Sequence, residues 1–169
     1  MTELSTTPTA EASATPPDQR WEPFESVTPD ETFEIGRKLA ARLIPGDLVL
    51  LYGGLGAGKT LLTKGILDGL GYDVDEVTSP SFALVNFYKT EGLDVYHIDL
   101  WRMEAKNAAA AVGLDEILEE PNAVTIVEWS ERLGDSVFPN RTISVHLTGD
   151  GDDPRTIRLS MPEDSLPES

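Results

Sequence analysis

The 169-residue sequence contains no cysteine, which removes disulfide frameworks, thiolate zinc sites and thiol nucleophiles from consideration. It also lacks any run of roughly 18 or more apolar residues, the length a membrane-spanning helix requires. Gly, Asp or Lys interrupts each apolar stretch sooner, so no membrane association is expected. The opening segment, MTELSTTPTAEASATPPDQR, has neither the basic start and apolar stretch of a secretory signal nor the arginines of an organelle transit peptide. A cytoplasmic location is the expectation that follows.

Basic residues are scarce as well: 13 Lys and Arg stand against 30 Asp and Glu, for a formal charge of -17. Phosphodiester backbones bind through cations that displace condensed counterions. Direct, autonomous nucleic-acid binding is therefore not expected, and the acidity reads as a solubility device.

A chain of this length is the size of one domain, and such a domain buries about two-thirds of its unfolded surface. Residues 1–20 carry no apolar periodicity and read as a disordered tail, residues 161–169 as a short acidic tail, and residues 21–160 as the folded domain. Within it strand and helix signals mostly alternate. That pattern predicts an α/β fold with a largely parallel central sheet, antiparallel additions and flanking helices. Thr28, Pro29 and Glu31 form an N-cap, a first-turn proline and a capping-box acid. The helix they start has Phe33, Ile35, Leu39, Ala40 and Leu43 as its apolar face and is expected to stop at Pro45-Gly46. Asp47 to Tyr52 reads as a central strand, and Lys59 to Leu70 as a helix ending at Gly71. Phe82 to Tyr88 and Leu93 to Leu100 read as a hairpin, 103–119 as mostly helical with a break at Gly113, and Ala123 to Val127 as a strand ending in Glu128. Thr142 to Leu147 and Arg155 to Ser160 read as a second hairpin at the sheet edge.

Between the first strand and its helix lies Gly53-Gly54-Leu55-Gly56-Ala57-Gly58-Lys59-Thr60, which satisfies G-x-x-x-x-G-K-[ST] in the required strand-to-helix context. Its glycines let successive N–H groups point at phosphate oxygens in conformations that a side chain would obstruct. The amides opening the following helix add their dipole. Lys59 can reach terminal phosphates, and the Thr60 hydroxyl can coordinate a bridging magnesium ion. Such a site also needs an acid near the metal, and two strands end in one: Asp99 after Val95-Tyr96-His97-Ile98, and Glu128 after Val124-Thr125-Ile126-Val127. One could hold magnesium while the other polarises water or completes the metal shell. Thr78 to Phe82 follows the phosphate-loop helix, where a hydroxyl could sense the γ-phosphate or simply satisfy a turn. His97 and His146 alternate with apolar neighbours and are expected to be structural.

Four segments, GGLGAGKT, SPSFALVNFY, VYHIDLWR and VEWSERL, together resemble the bacterial TsaE (YjeE) family over residues 28–147. That family is the small ATPase component needed to make threonylcarbamoyladenosine in tRNA. The resemblance implies a P-loop NTPase fold with ATP and magnesium as ligands. It implies Lys59, Asp99 and Glu128 as the catalytic set and Thr60, Asp99 and Glu128 around the metal. Nucleotide contacts would come from Gly54, Leu55, Gly56, Ala57, Gly58, Lys59, Thr60 and Leu61, with Thr32 by the base and Ser81 in a switch segment, Ser79 to Ser81. Trp129 matches the tryptophan after the family's acid, and Arg102 the Asp-Leu-aromatic-Arg run. Leu61 departs from the pattern, since many members place a second threonine there. The implied partners are the proteins TsaD and TsaB, which this chain would reset between turnovers while they handle the tRNA.

Two other readings compete. A small-molecule kinase would need an acceptor pocket and lid arginines. Beyond Glu128 only Arg132, Arg141, Arg155 and Arg158 remain, and the last two lie in the expected edge hairpin. A nucleotide-gated scaffold would bind ATP without hydrolysing it. No Asn-Lys-x-Asp guanine-reading motif is present, which favours ATP over GTP.

Overall fold

The computed structural model describes residues 19–26, 28–54, 58–76, 85–101, 107–134, 136–149 and 154–162. In chain order the elements are β1 (Gln19–Ser26), α1 (Pro29–Ala40), β2 (Leu48–Tyr52), α2 (Lys59–Gly69), β3 (Val85–Tyr88) and β4 (Asp94–Asp99). There follow α3 (Ala108–Val112), α4 (Leu114–Ile117), β5 (Ala123–Glu128), β6 (Thr142–Thr148) and β7 (Arg155–Pro162).

Helix α1 starts at the expected cap. The Thr28 hydroxyl accepts the Glu31 amide at 3.2 Å, Pro29 opens the first turn, and Arg37 and Lys38 occupy the last turn, at the negative end of the helix dipole. The helix stops at Ala40, short of the predicted Pro45-Gly46. Arg42 and Leu43 instead bond the carbonyls of Leu39 and Ala40 three residues back, a tightened final turn ahead of a proline that cannot continue the helix. Leu43 stays buried even so. Asp47, just before β2, accepts a two-pronged contact from Arg141 at 2.8 and 2.7 Å and the Ile44 amide at 2.9 Å. This pair ties the α1–β2 turn to the start of β6.

The sheet runs β1-β7-β6-β2-β5-β4-β3. Its four central strands, β6, β2, β5 and β4, are parallel, while β3, β7 and β1 join antiparallel. This is the mixed sheet expected of the α/β class, with β2 and β5 buried almost throughout. Side chains alternate between faces. Val49 and Leu51 share one face with Val124, Ile126, Ile143 and Val145, and α1 and α2 supply Leu39, Leu62 and Ile66 to the same core. Leu48, Leu50, Ile98 and Val127 point the other way, toward Ala108, Leu114 and Leu133. Burying each fully covered Leu or Ile is worth about 1.5–3 kcal/mol, so α2 is fixed firmly beneath the loop that precedes it.

Helices α1 and α2 meet backbone to backbone. A Cβ on Gly36 would stand 2.4 Å from the Leu62 carbonyl oxygen, and one on Gly65 2.1 Å from that of Phe33. Only glycine fits at that crossing.

Two expectations are corrected. Strand β1 was not read in the sequence; it begins at Gln19, inside the segment expected to be tail, and it is an edge strand, the place in a sheet that tolerates a proline such as Pro23. Its presence moves β7 off the edge, so the β6–β7 hairpin lies inside the sheet. The stretch 103–119 was expected to be mostly helical with a break at Gly113, and from 107 onward it is: α3 and α4 are short helices separated by Gly113 at φ 69°, while 102–106 lie outside the described residues. Residues 82–84, expected in the first hairpin, also lie outside them. Among the described residues no helix is long and apolar enough to cross a membrane.

Candidate active site

Strand β2 delivers the chain to Gly53 and Gly54, and α2 takes it up again at Gly58. Gly58 is the N-cap of α2 with φ 100°, a left-handed conformation that suits glycine, and no side chain caps the helix. The first intrahelical bond runs from the Leu62 amide to the Gly58 carbonyl. The amides of Lys59, Thr60 and Leu61 therefore open the positive end of an eleven-residue helix. Leu55, Gly56 and Ala57 lie outside the described residues, as do Ser79 to Ser81 and Arg102.

Lys59 is buried at 6% exposure. Its Nζ donates to the carbonyls of Gly53 at 2.7 Å and Gly54 at 2.8 Å and lies 4.3 Å from the centre of a Trp129 ring. Burial draws its pKa below the ordinary lysine value, and Glu128, Glu131 and Asp99 pull the other way.

The two acids predicted at strand ends are neighbours. Asp99 and Glu128 are register partners on parallel β4 and β5, so their side chains leave the same face of the sheet. That face is the one against which α1 and α2 lie. Both are buried, at 5% and 3% exposure. Asp99 Oδ1 accepts the Trp101 amide at 2.9 Å, and Glu128 Oε2 meets His97 Nε2 at 2.6 Å.

Immediately after β5 the chain turns sharply. Trp129 has φ 61°, the one positive φ outside glycine among the described residues. The turn places its ring 4.4 Å from that of Trp101 and leads into a short 3-10 turn, Ser130–Leu133. From that turn Glu131 Oε2 accepts the Gly53 amide at 2.9 Å, fastening the start of the loop to the acid-bearing segment. On the other side of β2, Tyr52 stacks on His146 at 4.4 Å and 8°. Tyr52, Gly53, Gly54, Glu131 and His146 to Gly149 line an open cleft of about 390 Å³.

Thr32 is buried beside the loop: a Cβ on Gly58 would stand 3.7 Å from Thr32 Cγ2 and 3.8 Å from Arg155 Nε. Arg155 was expected in an edge hairpin away from the site, and the structure brings it to the last loop glycine.

Residues 26–157 match the family model described as Threonylcarbamoyl adenosine biosynthesis protein TsaE. The chain belongs to the TsaE family. The tRNA threonylcarbamoyladenosine biosynthesis protein TsaE of Bacillus subtilis is 37% identical over 137 residues, spanning 81% of this chain and 84% of that protein. Its counterpart in Haemophilus influenzae is 35% identical over 146 residues, spanning 80% and 90%. Among solved structures, Bacillus subtilis YdiB superposes with a TM-score of 0.67 at 32% identity, covering 86% of this chain and 88% of that one. As a TsaE, the chain is part of tRNA threonylcarbamoyladenosine biosynthesis, and its fold is P-loop-like.

All the site residues described, from Thr32 to Arg155, fall inside the stretch that matches TsaE. Four residues that the structure places at the candidate site were not assigned to it from the sequence: His97, Glu131, Tyr52 and Arg155. A signal existed for His97, because it precedes Asp99 by two and so shares its face of β4. Glu131 and Arg155 reach the loop only through tertiary structure and leave no local pattern.

Proposed function

We propose that this chain binds ATP with magnesium at the β2–α2 loop and hydrolyses it to drive a complex of TsaD and TsaB through its cycle, leaving the tRNA to those partners. One arrangement carries the reading: a glycine loop closes on the N-terminus of α2, with Lys59 at its mouth and the Asp99–Glu128 pair within its electrostatic reach.

The residues suit magnesium. Among the described residues no three His, Asp or Glu side chains are grouped to hold a metal unaided. Magnesium is commonly held by one or two carboxylates, with phosphate and water completing its shell. Thr60, Asp99 and Glu128 would supply the protein's share, and the bound ion would neutralise charge shared by the terminal phosphates.

The α2 amides and Lys59 receive the phosphate oxygens, Lys59 exchanging its two carbonyl acceptors for them. Glu128 orients a water whose oxygen bonds to the γ-phosphorus as the bond to the bridging oxygen breaks. ADP departs with that oxygen, one water proton stays on the inorganic phosphate and the other passes to solvent. Turnover is slow in the isolated chain and rises with TsaD and TsaB. The absence of a guanine-reading motif supports ATP as the nucleotide.

The test is an equilibrium titration with magnesium-ATP, paired with phosphate release with and without the two partners. Lys59→Ala removes charge-assisted bonds worth about 1.5–3 kcal/mol each, so its affinity should fall by about tenfold or more. Undiminished affinity in that variant would overturn the reading.

A further inference from the structure

His97 is fully buried on β4, between Tyr96 and Ile98, with Ile126 of β5 as its register partner. An aliphatic side chain would fill such a position at no polar cost, as Val95 and Ile98 do on the same strand. The imidazole gains little from its surroundings in return. Its Nδ1 is buried with no hydrogen-bond partner among the described residues, and the Tyr88 ring lies 6.4 Å away, centre to centre. Its polar contact is with Glu128, Nε2 to Oε2 at 2.6 Å. A carboxylate can only accept, so Nε2 is the donor in this pair.

We infer that His97 is a positioning residue: it grips Glu128 by Oε2, freezes the glutamate rotamer and turns Oε1 toward the reaction space beside Lys59. Oε1 makes no hydrogen bond among the described residues, whereas Oε2 is committed to His97. Asp99 is fixed differently, through the Trp101 amide on Oδ1. The two neighbouring acids are thus held by separate devices, one a backbone N–H and the other a buried ring. Buried partners of this kind orient a ligating or water-directing carboxylate, and their loss commonly costs about ten- to a hundredfold in function. The inference rests on the reading of the site as an ATPase for its effect on turnover, but not for the geometry itself.

The experiment compares His97→Leu, which removes the donor, with His97→Gln, whose amide N–H can stand where Nε2–H stood. Phosphate release at saturating magnesium-ATP should fall about tenfold or more in His97→Leu, with KM changed less than about threefold, and His97→Gln should restore most of it. The second readout needs no nucleotide: nitrogen-15 NMR of the wild-type ring should show Nε2 protonated, and Glu128→Ala should move the Nε2 resonance. Equal turnover in all three proteins, parallel losses in kcat and 1/KM, or a ring that carries no proton on Nε2 would overturn the inference. Wild-type protein that never releases phosphate would sink the ATPase reading instead. In that case, or if His97→Leu does not fold, the ring resonances decide the matter alone.

Discussion

Three groups hold Lys59 before any ligand arrives: the carbonyls of Gly53 and Gly54 and the face of Trp129. On the proposed function an incoming phosphate would have to compete with the carbonyls, and its oxygens, which carry charge where a carbonyl carries only a dipole, would let it succeed. Asp99 and Glu128 cannot take part in that exchange directly, since they would repel a bare polyphosphate and welcome one that brings a cation. Asp99→Ala should therefore weaken ATP binding in the presence of magnesium more than in its absence. Equal losses with and without magnesium, measured by titration, would deny Asp99 a metal role. A second residue responds to pH. Burial holds the His146 imidazole below its ordinary value of 6.5, with Glu131 opposing the shift and Arg158 adding to it. Above 6.5 neither the folded nor the unfolded chain protonates this ring. As pH falls below 6.5 the unfolded chain takes a proton that the folded one declines, so this residue removes stability until the lower folded value is passed. Replacing it by Phe keeps the stack on Tyr52 and should flatten the acid limb of a denaturation series taken from pH 7 downward. An unchanged slope would mean that His146 contributes nothing to acid lability.

The elements differ in how much of themselves they show in sequence. The β2–loop–α2 unit was legible because its signals are local: a short β-branched and leucine run, then glycines, then helical spacing. Helix α1 was legible through Thr28, Pro29 and Glu31, a cap that needs no tertiary context. Strand β1 was not, because QRWEPFES carries acids and a proline, and its strand identity comes from pairing with β7. Asp99 and Glu128 could be marked as strand-end acids, yet their adjacency depends on the β4–β5 register, and the Gly53–Glu131 bond joins residues 78 apart. The α1–α2 crossing was equally hidden, since a glycine in a helix usually signals only weakness. Its consequence can be measured. Gly65→Ala would press a Cβ against the Phe33 carbonyl and should cost about 1–3 kcal/mol by chemical denaturation. Because α2 also presents Lys59 and the anion-facing amides, the same variant should bind magnesium-ATP more weakly. Gly92→Ala adds its Cβ to open space and should change stability by less than about 0.5 kcal/mol. Similar effects from both substitutions would remove the packing explanation.

At the scale of the whole molecule, a formal charge of -17 has to be squared with membership in a pathway whose product lies on tRNA, itself a dense polyanion. At least four of the 13 Lys and Arg side chains are already engaged. Arg37 meets Glu34 and Asp68, Lys89 meets Asp94, Arg141 is locked on Asp47, and Lys59 is turned into the loop. Arg37 and Arg141, paired with acids of the same protein, and Lys59, buried in the loop, are poorly placed to displace counterions from a phosphodiester backbone. The long-range field then repels tRNA over roughly a Debye length, about 8 Å at physiological salt. The isolated chain should accordingly show no binding to labelled tRNA by fluorescence anisotropy at about 10 µM protein and about 0.15 M salt, a concentration within the range of ordinary non-specific affinity. Lowering the salt, which strengthens most protein–nucleic-acid contacts, should not rescue it, because weaker screening here strengthens repulsion. Binding that tightens as salt falls would reveal a basic surface hidden by the net charge, and the proposed division of labour with tRNA-handling partners would have to be redrawn.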